Sequence, residues 1–294
     1  MTIVRDRDSA PTSSRPFSDA LPSRPDGPGA YRARLGGDWV VGGGKIHGGL
    51  MLAVVTRAAM TELAAHTAAD GHRAGDAPRA GDGHSPELDP LAVSADFLRA
   101  PEQGDVRITT QIVKIGRTAS VIRADLHQHD RLVMSTTVTA GRLPTEEPVW
   151  SDLPPMAAEP PPDALSTARD DPNAAPLAHS CDIRIDPSSY RRGGTGDPVM
   201  RGWVRPKGEE PDALFALFTG DALPPVVVNV GRPGWAPTVQ LTALLRARPA
   251  PGWLRTEVRS RVVAGNWFDE DATVVDSAGR LVCQARQLAL APLR

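Results

Sequence analysis

The residue whose chemistry stands out first is Asp221, which ends an otherwise apolar run in LFALFTGDALPPVVV. A carboxyl group at the end of such a run is predicted to be partly buried. Burial raises the pKa of an acid, whereas hydrogen bonds to the charged form lower it. Its neighbours therefore decide whether the carboxyl group serves in proton transfer. The alternative interpretation is a carboxylate that caps a helix end or lies at the surface.

A glycine-rich segment, residues 42–49, precedes an apolar run that begins at Leu50. Glycine turns that lead into a helix present backbone N–H groups at the positive end of its dipole, where an oxyanion can bind. Gly48 and Gly49 are therefore candidate oxyanion-binding residues, and a tight turn for close helix packing is the alternative. His47 is a candidate substrate contact or a residue that only flanks the helix. The spacing matches neither GxxxxGK[ST] nor GxGxxG, so a nucleotide site is not predicted.

The elements that would position these residues occur twice along the chain. A segment that starts at Leu91 aligns with a segment that starts at Val239, and turn residues and strand starts coincide. The matches include Pro101 with Pro249, Gly104 with Gly252, Gly116 with Gly265, and Arg131-Leu132-Val133 with Arg280-Leu281-Val282. Each copy contains runs of alternating apolar and polar residues between Gly, Pro or Asp, which are typical of antiparallel strands. We interpret the repeat as a duplication.

An apolar helix is predicted before each copy of the repeat. The run from Gly48 to Met60 is apolar on nearly all sides at helical period, so we expect a buried helix. The run from Asp212 to Gly220 has the same character and follows an acidic, proline-containing entry that suits a helix N-terminus. Asp221 lies at the end of this second helix. The end of the first helix carries no Asp, although Glu62 remains a second candidate acid.

The composition along the chain predicts four regions. We expect a flexible N-terminal tail over residues 1–28, a first half over 29–143, a proline-rich linker over 144–177, and a second half over 178–294 that carries the proposed catalytic residues. The prolines of the linker exclude a helix or a central strand there. The tail carries charges and prolines where a signal peptide would need an apolar core.

A buried helix before an antiparallel sheet, present twice, resembles the double hot-dog acyl-CoA thioesterases. The details of TGDALPP and LVCQARQLALA are similar to the bacterial acyl-CoA thioesterase II group and its actinobacterial relatives. The resemblance covers about Tyr31 to Gly141 and His179 to Pro292. It implies an α+β fold, a tandem double hot-dog in which two antiparallel sheets each wrap a long apolar helix.

The resemblance also implies three catalytic residues. In that family an Asp near the end of the second helix, a Thr or Ser that opens the next strand, and a Gln on the last strand hold the hydrolytic water. These positions fall on Asp221, Thr238 and Gln287, with Thr242 as the alternative for the Thr. Asp221 would accept the proton of the water, and the two neutral side chains would orient that water.

The predicted activity is therefore hydrolysis of acyl-CoA thioesters to free fatty acid and coenzyme A, with no metal and no cofactor. One alternative is a non-catalytic hot-dog module that binds acyl-CoA or another acyl ligand. A hot-dog hydratase or dehydratase ranks lower. The sequence leaves open the acyl chain length, the choice between coenzyme A and carrier-protein thioesters, the residues that meet the phosphates, and whether the chain forms a homo-oligomer.

The composition argues against other classes of partner. Among 294 residues, 33 basic and 35 acidic side chains nearly balance, so no basic field is available for nucleic acid. No run approaches the roughly 18 consecutive apolar residues typical of a membrane span. Cys181, Cys283 and the histidines lack metal-ligand spacing, and two cysteines do not indicate a disulfide scaffold. We expect a cytoplasmic protein without membrane or nucleic-acid partners.

Overall fold

The computed structural model describes residues 14–70, 88–167, 175–191, 193–194 and 196–292. Its helices are α1 (Pro16–Ala20), α2 (Gly48–Asp70), α3 (Leu177–Ser180) and α4 (Ala213–Thr219), with short 3-10 helices at Gly37–Trp39, Gly42–Gly44 and Val226–Val230. Its strands are β1 (Arg24–Pro25), β2 (Ala30–Leu35), β3 (Val40–Val41), β4 (Lys45–Ile46), β5 (Asp89–Phe97), β6 (Gly104–Lys114), β7 (Ala119–Gln128), β8 (Arg131–Gly141), β9 (Leu165–Ser166), β10 (Cys181–Ile185), β11 (Val199–Pro206), β12 (Thr238–Leu245), β13 (Leu254–Arg259), β14 (Val263–Ala264), β15 (Trp267–Val275) and β16 (Leu281–Leu290).

The strand order in the sheet reflects the internal repeat, because equivalent strands of the two copies follow in the same order toward the middle of the sheet. Along its main path the strands follow the order β1-β2-β6-β7-β8-β5-β12-β16-β15-β13-β11-β10-β9, and every pairing is antiparallel. The first copy of the repeat supplies β6, β7, β8 and β5, and the second supplies β13, β15, β16 and β12. The two copies therefore meet at β5 and β12.

The expectation of two separate sheets is wrong, because the strands of both halves form one 14-stranded sheet. Strands β5 and β12 pair directly, with Ser94 opposite Thr242 and Val93 opposite Ala243. An unpaired edge strand leaves a row of N–H and C=O groups open. Each half would expose one such edge at this place, and the pairing of the two edges satisfies both.

Helix α2 is buried on most sides, as its apolar composition predicts. It contacts β5, β6, β7 and β8 of the first half and α4 of the second. Leu50, Leu52, Val54 and Val55 are fully buried although they point in different directions around the helix. Among the described residues α2 alone is long and apolar enough to cross a bilayer, but most of it is covered by the protein. A helix with apolar faces all round is typical of a core helix.

The second helix is much shorter than the long apolar helix that the resemblance implies for each half. Helix α4 spans seven residues, and Asp212 caps it by accepting a hydrogen bond from the Phe215 N–H at 2.7 Å. Gly220 follows the last helical residue, and Pro224 and Pro225 come soon after. Proline disfavours helical backbone at the residue before it and cannot donate to the helix ladder. The chain therefore turns away and places Asp221 in the turn.

The prediction of a flexible tail over residues 1–28 is wrong for residues 14–28, which the structure describes. Residues 1–13 lie outside the described residues, but α1 and β1 are both ordered elements of the fold. Phe17 and Leu21 are buried, and the Phe17 ring packs edge-on against Phe215 with centroids 5.0 Å apart. The apolar residues within this charged segment are what anchor it to the core.

The linker between the halves lies against the outer strands of the second half. The Trp203 indole N–H donates to the Ala157 carbonyl at 2.9 Å, and the Arg255 guanidinium donates to the Met156 carbonyl at 2.8 Å. Of the predicted linker, residues 168–174 lie outside the described residues. The last part of the linker reaches the cavity described below.

Candidate active site

Both halves and the linker enclose one cavity of about 690 Å³, within the size range of small-molecule sites. The first half contributes Ile46, Met51 and Phe97 to its wall, and the linker contributes Leu177. The candidate residues Asp221, Thr238, Gln287, His47 and Gly48 also line this cavity. Of the predicted site residues only Gly49 does not line this largely apolar cavity, and the others meet there from distant parts of the chain.

Asp221 is held in the turn after α4 with its side chain only 11% exposed. Burial raises the pKa of its carboxyl group to about 7, although hydrogen bonds from the Gly49 amide and from Gln287 oppose the shift. A carboxyl group with this pKa can exchange a proton near neutral pH. A proton acceptor, as the resemblance implies for Asp221, would suit this position.

Thr238 and Gln287 are in direct contact beside Asp221. The Thr238 hydroxyl donates to Gln287 Oε1 at 2.5 Å, and Gln287 is buried. The two residues lie on the paired strands β12 and β16, where Thr238 stands opposite Ala289 and Gln287 stands opposite Leu241. Leu241 and Ala289 are buried as well, so Gln287 faces the core and not the outer surface.

The alternative residues Thr242 and Glu62 lie elsewhere. The Thr242 hydroxyl is within 2.9 Å of Ser94 Oγ and accepts from Gln240 Nε2 at 2.9 Å. Glu62 Oε2 accepts from the Tyr31 hydroxyl at 2.7 Å. Neither Thr242 nor Glu62 lines the cavity. Of the two candidate threonines, Thr238 contacts Gln287, and of the two candidate acids, Asp221 does.

A second buried acid, Glu270, also belongs to the site and was missed by sequence analysis. Glu270 Oε1 accepts from Gln287 Nε2 at 3.1 Å, and Oε2 accepts from the Val226 N–H at 3.0 Å. The signal that could have found it is the alternation of β15, in which Phe268, Glu270 and Ala272 share the buried phase. A charged residue on the apolar phase of a strand is rare unless it has a partner.

His47 lies against Asp221 as a neutral side chain. Its Nδ1 is 3.9 Å from Asp221 Oδ2, and burial lowers the pKa of the imidazole to about 4, so the two residues do not form an ion pair at neutral pH. His47 Nδ1 accepts the Gly49 N–H at 3.0 Å. In the neutral ring the proton therefore resides on Nε2.

The two candidate oxyanion glycines have different surroundings. The Gly49 N–H is engaged by the His47 ring and the Asp221 carboxyl group. Gly48 is the first residue of α2 and lines the cavity, and the first N–H groups of a helix have no partner within the helix. Of the two amides, the Gly48 N–H is thus the better placed to meet a substrate oxygen.

Gly48→Ala is expected to lower kcat/KM about 100-fold, because a misplacement near 1 Å of a catalytic group has this effect. A Cβ at residue 48 would lie 2.8 Å from Asp221 Oδ2, at the movable end of a side chain. The carboxyl group would shift and the fold would persist. Kinetics of the predicted acyl-CoA hydrolysis together with thermal unfolding measure both effects.

Gly49→Ala is the matched comparison on the next residue. Its Cβ would lie 2.8 Å from the Phe218 carbonyl oxygen, and backbone cannot swing aside as a side chain does. We expect an unfolding free energy lower by about 1–3 kcal/mol, the usual range for overpacking. A Gly48→Ala protein with wild-type kinetics would contradict the close placement of Asp221 against the helix start.

The two cysteines do not provide an alternative nucleophile. Cys181 and Cys283 are free thiols, and both are fully buried. Burial raises the pKa of the Cys283 thiol to about 12 and that of Cys181 further. The thiolate is the reactive form of cysteine, and it is scarcely populated here at neutral pH.

Comparison with known proteins gives the same family for both halves. Residues 35–141 match the acyl-CoA thioesterase N-terminal domain, and residues 152–291 match the acyl-CoA thioesterase C-terminal domain. An uncharacterized protein of Mycobacterium tuberculosis is 40% identical over 293 residues, which cover 92% of this chain and 95% of that protein.

Solved structures share the fold along 95% of the chain. A candidate thioesterase II from Thermobifida fusca superposes with a TM-score of 0.79 at 29% identity, covering 95% of this chain and 98% of that one. A hot dog fold protein of unknown function from Alicyclobacillus acidocaldarius superposes with a TM-score of 0.73 at 20% identity, with the same coverage. The hot-dog fold that the resemblance implies is confirmed.

Proposed function

The chain belongs to the acyl-CoA thioesterase family, and from this premise we propose that it hydrolyses acyl-CoA thioesters to free acid and coenzyme A with a water activated by Asp221. The observation that carries the proposal is the convergence of Asp221, Thr238 and Gln287 on one apolar cavity between the two halves. Membership of the family supports thioesterase activity, and the geometry supports the proposed roles of Asp221, Thr238 and Gln287.

The proposed reaction has two steps, in which Asp221 first accepts a proton and then returns it. Water attacks the thioester carbonyl carbon while its proton passes to the Asp221 carboxylate, and negative charge develops on the carbonyl oxygen. The Gly48 N–H at the start of α2 stabilises this oxyanion. The C–S bond then breaks, the acid is released, and the coenzyme A sulfur takes up the proton from Asp221. One water is consumed for each thioester.

Thr238 and Gln287 orient the water and do not compete for its proton. The Thr238 hydroxyl donates its only proton to Gln287 Oε1, so its oxygen remains able to accept a hydrogen bond from the water. The second proton of the same water is then directed at Asp221. An oriented nucleophile in a cavity removes much of the entropic cost of the reaction.

The test of the proposed function is a hydrolysis screen over short, medium and long acyl-CoA thioesters with detection of the free thiol. We expect release of coenzyme A from at least one chain-length class. The cavity walls are mainly apolar, which suits an acyl chain better than a polar acyl group. Binding of acyl-CoA without any thiol release would overturn hydrolysis and favour the non-catalytic binding module.

The pH dependence of hydrolysis should show an acid limb with a midpoint near pH 7. Asp221 must be ionised to accept a proton, and its pKa is raised to about 7 by burial. Activity is therefore expected to be full above this pH and to fall as the pH drops through it. The logarithm of kcat/KM plotted against pH between 5 and 9 measures the limb. A midpoint near pH 4, the ordinary value of an aspartic acid, would contradict the buried base.

A further inference from the structure

The side-chain amide of Gln287 has a different partner at each end. Its oxygen accepts from the Thr238 hydroxyl at 2.5 Å, and its nitrogen donates to Glu270 Oε1 at 3.1 Å. The nitrogen also donates toward Asp221, which lowers the pKa of that acid in part. The amide nitrogen of Gln287 therefore lies between two buried carboxyl groups.

We propose that Glu270 is a positioning residue for thioester hydrolysis, which holds the Gln287 amide in the one orientation that lets Thr238 and Asp221 align the water. The proposal rests on the proposed function. Glu270 acts through Gln287 and not on the substrate.

Asp221 cannot perform this positioning alone, because its protonation changes during the reaction. When Asp221 accepts the proton of the water it becomes a donor as well as an acceptor. The Gln287 amide could then turn its oxygen toward Asp221 and release the Thr238 hydroxyl. A second carboxyl group that does not take the proton of the water keeps the amide in place through the step.

Glu270 is itself fixed by strand pairing and by the backbone. It stands directly opposite Gln287 on the neighbouring strands β15 and β16, where facing side chains are in close contact. Its second oxygen accepts the Val226 N–H, in the segment that follows Asp221. Glu270 thus joins the Asp221 turn to Gln287. Burial raises its pKa to about 8, and the charge of Asp221 adds to the shift.

The chemistry of this position calls for a carboxyl group and not an amide. Glu270 meets an N–H group at each of its two oxygens. An ionised carboxyl group accepts at both oxygens, whereas a carboxamide accepts at one end and donates at the other. Glu270→Gln therefore places an NH₂ group either opposite the Val226 N–H or opposite the Gln287 nitrogen. In the second case the Gln287 amide is forced to flip.

The first test compares Glu270→Gln, Gln287→Ala and the double variant in acyl-CoA hydrolysis. Glu270→Gln should lower kcat about 10- to 100-fold, the range found when a partner that orients a metal ligand is lost, with little change in KM. Because Glu270 acts through Gln287, the double variant should be no slower than Gln287→Ala alone. Wild-type kcat in Glu270→Gln, or additive losses in the double variant, would overturn the proposal. Glu270→Leu repeats the test if Glu270→Gln does not fold.

A matched control is Glu257→Gln, on β13. Glu257 is another buried glutamate of the same sheet, but it pairs with Arg201 at 2.8 Å and Arg259 at 3.0 Å, away from the cavity. Its loss is expected to reduce stability and to leave kcat of the folded enzyme unchanged. Equal kcat losses in both glutamate variants would show a general effect of disturbing the sheet and would overturn the specific role.

A second test does not need turnover. The side-chain NH₂ signals of Gln287, assigned in a nitrogen–proton NMR spectrum from their absence in Gln287→Ala, report on the carboxyl group beside them. We expect Glu270→Gln to shift these signals and Glu257→Gln to leave them in place. If the wild type releases no thiol, the proposed function fails, yet the spectrum still decides whether Glu270 holds the Gln287 amide. Unshifted Gln287 signals would overturn the proposal.

Discussion

Asp221→Asn is expected to lower kcat for acyl-CoA hydrolysis about 1000-fold, within the range contributed by a general base. The amide keeps the size of the side chain but cannot accept the proton of the water. The variant should fold at least as well as the wild type above pH 7, because ionisation of a buried carboxyl group opposes folding and Asn does not ionise. Acyl-CoA affinity should change little, since the substituted atom acts on the water.

The control for this prediction lies at the other end of the same helix. Asp212 caps α4, and Asn is an equally good cap, so Asp212→Asn should leave both stability and kcat near the wild-type values. Thiol release under saturating substrate and denaturant unfolding measure the two properties. An Asp221→Asn protein that retains more than a tenth of wild-type kcat would exclude Asp221 as the base.

The repeat in the sequence predicts most of the sheet, because alternation of apolar and polar residues reports which face of a strand is buried. Alternation says nothing about partners between strands of different halves, so the pairing of β5 with β12 into one sheet was not foreseen. The apolar run from Asp212 to Gly220 does predict the extent of α4, whereas the long helix implied by the resemblance is wrong for this half.

The candidate site shows a similar division. Asp221 could be found from its apolar context, but the choice between Thr238 and Thr242 could not be made from alternation. Both residues share a phase with Gln240 when the strand is counted in steps of two. A register shift between Thr238 and Gln240 breaks this phase in the structure. A β-bulge re-aims a side chain in this way, and here Thr238 lines the cavity.

Glu270 illustrates what a comparison of residue types misses. Its neighbours Asp269 and Asp271 are also acidic, so the segment looks like an exposed charged stretch. Only the placement of β15 opposite β16 brings Glu270 to the amide of Gln287. The requirement for this acid comes from the geometry of two hydrogen bonds and not from composition.

The aromatic cluster behind the site joins three separate segments. The Phe218 ring lies with its centroid 5.7 Å from Phe17, 5.4 Å from Trp39, 5.2 Å from Phe215 and 4.9 Å from the His47 ring. Phe218 is fully buried. Its carbonyl oxygen also lies close to Gly49, as the predicted effect of a Cβ there requires. Phe218 therefore supports the start of α2 against the Asp221 turn.

Phe218→Ala is expected to reduce the free energy of unfolding by about 3–5 kcal/mol, the usual effect of removing a buried phenyl ring. The upper part of this range is favoured, because the ring contacts residues of α1, α4 and the segment before α2, and a cavity among several elements cannot collapse easily. Phe218→Leu retains much of the volume and should lose about 1 kcal/mol. Denaturant unfolding of both variants measures the difference. Because His47 loses the ring beside it, kcat of the folded alanine variant should also fall, whereas equal unfolding free energies of the two variants would contradict a bracing role for Phe218.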